Sequence, residues 1–151
     1  MRTVETVVAL LAVVTTAGAG GVYLGFSAMV MPALHGSRAA ADTMNSINER
    51  ATRSAFMIVF LGSLVTCVIA GALAVFRLPQ PSAALVLTGA VGGFVAFVIT
   101  AAVNVPLNNR LAGESTGDAY TRFEGDWRRA NAWRGVISLA GALLMGAGLA
   151  V

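Results

Sequence analysis

The sequence predicts an all-α integral membrane protein, a four-helix bundle with short additional helices in the connections between helices 1 and 2 and between helices 3 and 4. Of the 151 residues, 57% are hydrophobic and only 11% are charged, whereas an ordinary soluble domain is about 25% charged. Four runs carry no formal charge: 6–37, 54–76, 78–109 and 135–151. Helices in soluble proteins need a polar face, and these runs have none.

The length of each run indicates whether it can cross a bilayer, which takes about 20 mostly apolar residues. The first three runs exceed that length, and the fourth reaches it only if its helix begins near Ala130 and includes Arg134. We therefore predict helices at roughly 5–30, 54–77, 83–105 and 131–151, within a single domain 1–151. Glu5 does not suit the basic start of a signal peptide, so we expect the first helix to remain uncleaved.

The charge distribution predicts an orientation and excludes one class of partner. The net charge is +3, from ten arginines and seven acids, with no lysine. These arginines do not form one basic stripe, so no nucleic-acid partner is expected. Most lie on the side of the two longer connections, whereas Arg2 and Arg77 lie on the other side. By the positive-inside rule, the longer connections face the cytoplasm, most simply from the plasma (inner) membrane.

The composition also limits the metal and disulfide chemistry. Cys67 and His35 are the only cysteine and the only histidine, so a disulfide framework and a zinc site of Cys and His ligands are excluded. Small residues are frequent in the apolar runs, including 17–21, Gly89 and Gly141. Small residues allow membrane helices to approach closely, which predicts a compact bundle and leaves a homo-oligomer open.

Polar side chains that are costly at membrane depth collect at the end of the bundle that carries the long connections. Such residues are tolerated when they face a cavity or one another, so we predict a polar pocket at this end. Trp127, Asn131 and Arg134 share one helical face by their spacing. The complete set of candidate site residues is Tyr23, His35, Asn48, Asn104, Asn108, Trp127, Asn131 and Arg134.

Several of these residues have structural alternatives. Asparagines near helix ends often act as caps, and we expect the third helix to kink or end near Pro106, with Asn104 and Asn108 satisfying the freed backbone groups. Trp127 is also compatible with an interfacial anchor. Arg134 has three interpretations: it snorkels to the interface, it pairs with a carboxylate, or it holds a substrate anion. The possible carboxylates are Glu49, Glu124 and Asp126.

His35 is the natural candidate for a general base, because imidazole titrates near neutrality. A haem or copper site that combines His35 with Met29 or Met31 is a less favoured alternative. Pro32 lies between Met31 and His35, and it disfavours a regular helical pairing of the two side chains.

Four motifs, in order along nearly the whole chain, together resemble the anthrone oxygenase-like membrane family. The stretch 26–34 resembles the end of that family's first helix, and 44–48 resembles its Met-Gln-x-x-Asn element with Asn45 in place of the usual Gln. The stretch 104–108, followed by Arg110 and Leu111, resembles its most recognisable segment. Trp127-x-x-x-Asn131-x-x-Arg134 resembles its final motif.

The resemblance implies a small four-helix membrane protein whose fungal relatives oxidise anthrones to anthraquinones. It implies a mechanism in which O₂ is the co-substrate and no cofactor is required. In that mechanism His35 is the base, and Arg134 with Asn104 or Asn131 stabilises the enolate oxygen. Tyr23 and Trp127 stack on a flat aromatic substrate. The alternative is a non-enzymatic membrane protein that binds a lipid, a quinone or another hydrophobic ligand. Proton-coupled export is disfavoured, because no acid except Glu5 lies in a span.

Overall fold

In the computed structural model, which describes residues 3–114 and 118–151, all the regular secondary structure is helical. Four long helices form an up-down-up-down bundle: α1 (Thr3–Leu34), α3 (Ala55–Arg77), α4 (Ser82–Gly113) and α5 (Ala119–Ala150). All four are long and apolar enough to cross a membrane. The short helix α2 (Ala40–Ala51) lies in the first long connection.

The helices form a ring in which each one packs against two antiparallel neighbours. Helix α1 contacts α3 and α5, and α4 contacts α3 and α5. Because the chain runs along the bundle four times, the first and last described residues lie at the same end of the bundle as the tight turn between α3 and α4. Arg77 lies at this end, and Arg2, the other arginine assigned to it, falls outside the described residues.

The helix lengths create the space in which the pocket forms. Helices α1, α4 and α5 each have 32 residues and α3 has 23. At about 1.5 Å per residue, the three longer helices exceed both α3 and the hydrocarbon thickness of about 30 Å. They extend beyond α3 at the end where α2 lies. Helix α2 packs against the end of α4 and the beginning of α3, so it occupies the space above the shorter helix.

Two predicted boundaries differ clearly from the observed ones. We predicted the last helix from 131, but α5 begins at Ala119, since its first turns pack on the protein and need not be apolar. We predicted that the third helix kinks or ends near Pro106; it does not end there, since it continues to Gly113. The helical residues predicted in the second long connection are the last turns of α4 and the first turns of α5.

Pro106 is accommodated because it follows a π-helical segment, Thr100–Asn104. Helix α1 has the same arrangement, in which Pro32 follows the π-helical segment Phe26–Val30. A proline cannot donate a backbone hydrogen bond, and a π turn is a local change of register that a helix can absorb. Both helices therefore pass through their prolines, and both π segments lie beside the pocket described below.

Two separate hydrophobic clusters stabilise the fold, one on each side of the pocket along α1. The membrane cluster contains Ala12, Cys67, Ala90 and Met145 among others. The cap cluster lies where the long helices extend past α3, and it includes Met31, Met44, Leu111, Tyr120, Phe123 and Trp127. Because the pocket lies between two packed clusters, its walls are held from above and from below.

The closest approach of α4 and α5 depends on glycine, and it yields a first prediction. A Cβ added at Gly89 would overlap the carbonyl oxygen of Gly141, and one added at Gly141 would lie 2.7 Å from the carbonyl oxygen of Gly89. We expect Gly89→Ala to cost about 1–3 kcal/mol of stability through overpacking. Thermal unfolding in one detergent measures this, with Gly21→Ala as the matched control, because no atom lies within 4 Å of a Cβ there. Equal melting temperatures for the two variants would contradict the prediction.

Candidate functional site

A cavity of about 410 Å³ lies at the end of the bundle that α2 covers. All five helices contribute to its walls. The polar lining residues are Tyr23, Asn48, Arg50, Thr52, Ser54, Thr100, Asn104, Asn108, Trp127 and Arg134. The remaining lining residues are apolar and come mainly from α1 and α3. The pocket therefore combines a mostly hydrophobic volume with a few polar groups, which is the usual composition of a small-molecule site.

Arg134 is the principal charged group of the pocket, and it is only 7% exposed. Its Nε and Nη2 donate to Oδ1 of Asn131 at 3.0 and 2.6 Å. Its Nη1 donates to Oγ1 of Thr100 at 3.0 Å, and its guanidinium carbon lies 4.0 Å from the centroid of the Tyr23 ring. A guanidinium has five N–H donors, so these three bonds leave two N–H groups without a partner among the described residues.

Asn131 holds Arg134 in this position from behind the pocket wall. It is fully buried, and its Nδ2 donates to the backbone oxygen of Tyr23 at 2.5 Å and to Oγ of Ser27 at 2.7 Å. Both ends of the amide are therefore occupied, one by α1 and the other by the guanidinium. Asn131 links α1 to α5 and fixes the orientation of Arg134.

No carboxylate neutralises Arg134. Among residues 3–114 and 118–151, no carboxylate oxygen lies within 4.0 Å of its guanidinium. Of the three acids considered from the sequence, Glu49 pairs with Arg53 at 3.9 Å and Glu124 pairs with His35 at 2.9 Å. A buried cation without a counter-charge is unfavourable, so this pocket is suited to a ligand that brings negative charge or strong acceptors.

A second set of contacts links Asn104, Asn108 and Trp127 on the neighbouring part of the wall, where the Trp127 ring centroid lies 5.6 Å from the guanidinium carbon of Arg134. Nε1 of Trp127 donates to Oδ1 of Asn108 at 2.8 Å, and Nδ2 of Asn104 donates to the backbone oxygen of Trp127 at 3.4 Å. Oδ1 of Asn104 and Nδ2 of Asn48 are both buried without a hydrogen-bond partner. The wall therefore contains one unused acceptor and one unused donor.

Aromatic rings form the apolar part of the pocket, and this part was not predicted from the sequence. Phe56 lies edge-on to Tyr23 at 6.0 Å between ring centroids. Phe60 stacks on Phe56 at 5.9 Å and on Phe97 at 5.1 Å. The spacing of four places Phe56 and Phe60 on one helical face, but it does not indicate whether that face meets the cavity or lipid. Thr100 was also missed, although it is a polar residue in an apolar run, four before Asn104.

Six of the eight predicted site residues line the pocket: Tyr23, Asn48, Asn104, Asn108, Trp127 and Arg134. Asn131 lies directly behind Arg134 as described, while His35 is not part of the lining. One face of the Tyr23 ring is already covered by the guanidinium of Arg134, so this ring supports the cation as well as lining the cavity. The predicted roles of these residues remain predictions.

His35 lies at the end of α1, with 73% of its side chain exposed. Its Nδ1 lies 3.1 and 2.9 Å from the two carboxylate oxygens of Glu124. This contact joins the end of α1 to the first turns of α5. The structure does not bring His35 to the pocket, so we do not assign it as the base below.

Removing the imidazole tests this placement. We expect His35→Ala to lower stability by at most about 1 kcal/mol, since one partner of the pair is largely solvated. We also expect turnover of any substrate of the pocket to change less than about twofold, because the ring lies outside it. Steady-state kinetics and thermal unfolding on the same preparation measure both effects. A large loss of activity with unchanged unfolding would restore His35 as a catalytic candidate.

Of the side chains proposed for a haem or copper site, His35 and Met31 have other partners, and Met29 is 70% exposed. The sulfur of Met31 is buried and accepts a hydrogen bond from the Tyr120 hydroxyl at 3.9 Å, and His35 pairs with Glu124. Within the part of the chain that the structure describes, no three His, Cys, Asp or Glu side chains form a metal-binding group. The pocket lining itself provides amides, hydroxyls and two arginines.

The fold and the site together define a four-helix integral membrane protein with a buried cationic pocket at one end. The family model for anthrone oxygenase matches residues 56–144, which is more than half of the chain. The protein belongs to the anthrone oxygenase family, as the four sequence motifs indicated. No curated protein and no solved structure matches the chain.

Proposed function

We propose that this protein is a membrane-embedded oxygenase that oxidises an anthrone-type aromatic ketone with O₂. The observation that carries the proposal is Arg134, a buried guanidinium without a carboxylate partner that lines an aromatic pocket. Membership of the anthrone oxygenase family supports the reaction class. A fold alone does not imply a function, so the chemistry is argued from the pocket.

The cation suits the charge that develops during this reaction. An anthrone carries a CH₂ group opposite its ketone, and loss of one proton places negative charge on the ketone oxygen. Arg134 has two unused N–H groups and is already oriented by Asn131 and Thr100. A preorganised donor needs little rearrangement as charge forms. We therefore assign stabilisation of the enolate oxygen to Arg134.

The oxidation balances with O₂ as the only oxidant. The enolate transfers one electron to O₂, and the carbon radical and superoxide then combine to form a C–O bond. The resulting peroxide takes up a proton and loses water as the second C–H bond and the O–O bond break. The products are one quinone and one water for each anthrone and O₂ consumed. The aromatic side chains around Phe56 and Phe60 provide an apolar volume for the flat rings.

The initial proton leaves the pocket without help from a conventional protein base. Among the described lining residues there is no carboxylate and no imidazole. Because Arg134 favours the enolate over the neutral ketone, it lowers the substrate pKa. We assign the proton acceptor to solvent at the mouth of the pocket, where the exposed Arg50 lies. On this basis, the rate rises with pH until the bound substrate is fully ionised.

Oxygen consumption by the purified protein tests the proposal. We expect O₂ uptake that depends on anthrone and forms one quinone for each O₂ consumed, with protein denatured in detergent as the control for spontaneous oxidation. Binding of anthrone without enhanced O₂ uptake would instead support the alternative, a membrane protein that binds a quinone, lipid or similar ligand. Metal analysis and an absorption spectrum of the same sample test whether a bound group takes part.

We further propose that the pocket end faces the cytoplasm from the plasma (inner) membrane. Eight of the ten arginines, all except Arg2 and Arg77, are assigned to this end, and the positive-inside rule supports this orientation. The native Cys67 is buried, so a cysteine introduced at the exposed Arg128 reports on one side. We expect Arg128→Cys to react with an impermeant thiol reagent in broken cells and not in intact cells; the reverse pattern would invert the orientation.

A further inference from the structure

Asn104 presents a hydrogen-bonding group for which the protein supplies no partner. The residue is 1% exposed and lines the pocket. Its Nδ2 donates to the backbone oxygen of Trp127, whereas its Oδ1 has no partner. A backbone carbonyl accepts and cannot donate, so the contact with Trp127 determines which end of the amide is engaged. The atom of the amide that has no partner at all is the acceptor Oδ1, since Nδ2 already uses one of its two N–H groups.

The free acceptor indicates a role for Asn104 different from the one predicted from the sequence. An oxyanion needs donors, and one of the two N–H groups of Asn104 already donates to Trp127. We keep stabilisation of the enolate oxygen on the charged Arg134, while Oδ1 of Asn104 provides an acceptor one helical turn beyond Thr100. An unpaired buried acceptor is destabilising, and such groups in native proteins call for an explanation such as a ligand or ordered water.

We propose that Asn104 is a specificity residue whose Oδ1 accepts a hydrogen bond from a hydroxyl group of the aromatic substrate. This inference rests on the proposed function and refines the substrate class. The substrate carries an acceptor that becomes anionic at Arg134 and a hydroxyl donor that reaches Asn104. The pocket consequently prefers a hydroxylated ring to one that has a methyl group at the same position. The two substituents are similar in size, so the difference between them reports on the hydrogen bond.

The experiment uses three probes and one variant. The probes are anthrone, a hydroxyanthrone whose hydroxyl is too far from its own ketone to form an intramolecular hydrogen bond, and the methylanthrone with its methyl group at the same position. Binding to the full-length protein is measured without O₂, so that turnover does not intervene. From the net value of one neutral hydrogen bond, we expect Asn104→Leu to reduce the preference for hydroxyl over methyl by about threefold to tenfold. Asn109→Leu is the control, since Asn109 is exposed on the same helix and outside this pocket.

A second measurement separates a ligand contact from a structural role. Leu has the same number and branching of side-chain heavy atoms as Asn and removes the unpaired acceptor, so we expect the ligand-free Asn104→Leu protein to unfold at the same temperature or higher. If the variant does not fold, the preference of the unmutated protein for hydroxyanthrone still decides the matter, and equal or weaker binding of it than of methylanthrone overturns the inference.

The outcomes also distinguish this inference from the proposed function. If unmutated protein oxidises all three probes but Asn104→Leu leaves the hydroxyl-to-methyl preference unchanged, the role of Asn104 is wrong and the oxygenase proposal stands. If none of the probes binds or stimulates O₂ uptake, the oxygenase proposal fails first. A preference lost in Asn104→Leu and kept in Asn109→Leu supports the specificity role.

Discussion

Replacing Arg134 by Gln is expected to lower kcat/KM for anthrone oxidation by about 100-fold to 1000-fold, the usual effect of removing one preorganised oxyanion donor. The shorter, neutral Gln side chain removes the charge that stabilises the enolate oxygen. Arg134→Lys keeps the charge but loses the planar fork and the stacking on Tyr23, so we expect an intermediate rate. Quinone formation under saturating O₂ measures both variants.

The matched control is Arg128→Gln, which removes one positive charge from an exposed position of the same helix. We expect this variant to keep its rate within about twofold, since exposed charges are well screened. Thermal unfolding shows whether Arg134→Gln is still folded. Full activity in a folded Arg134→Gln protein would remove the central observation of the proposed mechanism, whereas equal losses in both variants would indicate a general electrostatic effect.

Asn131→Leu is expected to be the most destabilising single change in the pocket, costing about 3 kcal/mol or more. The substitution removes the acceptor shared by Nε and Nη2 of Arg134 and the donor to the backbone oxygen of Tyr23. It leaves a guanidinium buried with one remaining protein acceptor, Thr100. Thermal unfolding in a single detergent measures the loss, and Asn109→Leu serves as the exposed control.

Asn131→Asp distinguishes two features of Arg134, namely the hydrogen-bond acceptor that residue 131 provides for it and its unneutralised positive charge. The variant keeps an acceptor for the guanidinium and supplies the carboxylate that the native pocket lacks. We expect it to unfold at a higher temperature than Asn131→Leu and yet to oxidise anthrone much more slowly than the native protein, because the substrate enolate must then compete with Asp. Native turnover in Asn131→Asp would show that the unneutralised charge is not needed.

The combination of two interactions explains why Arg134 can remain buried without a counter-ion. Asn131 provides a neutral acceptor that does not cancel the charge, and the Tyr23 ring provides a cation–π contact on one face. An acidic partner such as Glu49 or Glu124 would be better for stability and worse for binding an anion. Both of these acids are paired elsewhere, so the positive charge is left for the ligand.

Much of the site was predictable because polar residues are rare in these helices. Tyr23, Asn104, Asn108, Asn131 and Arg134 each interrupt or end an apolar run, and a polar group at membrane depth needs a cavity or a polar neighbour. That requirement makes their convergence a strong inference from sequence. The predicted position of α3 agrees with Ala55–Arg77 to within one residue, because charged residues lie close to both of its ends.

The position of His35 could not be predicted from hydropathy and motif spacing. Its chemistry suggested a base, but its position depends on how the end of α1 packs against α5, and it pairs there with Glu124 on the outside of the cap cluster. The aromatic wall was missed for a related reason. In a membrane helix every face is apolar, so sequence does not distinguish Phe56 and Phe60, which face the cavity, from apolar residues that face lipid.

The sequence by itself determined the class of fold, the four spans, the family and the end of the bundle that holds the polar residues. Those properties follow from hydropathy, from motif order and from the cost of polar groups in lipid, which are local or additive quantities. Only the tertiary structure decided that Asn131 supports Arg134, that Asn104 retains a free acceptor and that His35 lies outside. Those outcomes depend on which atoms of distant helices meet, and such contacts between residues far apart in the chain are not a local property of the sequence.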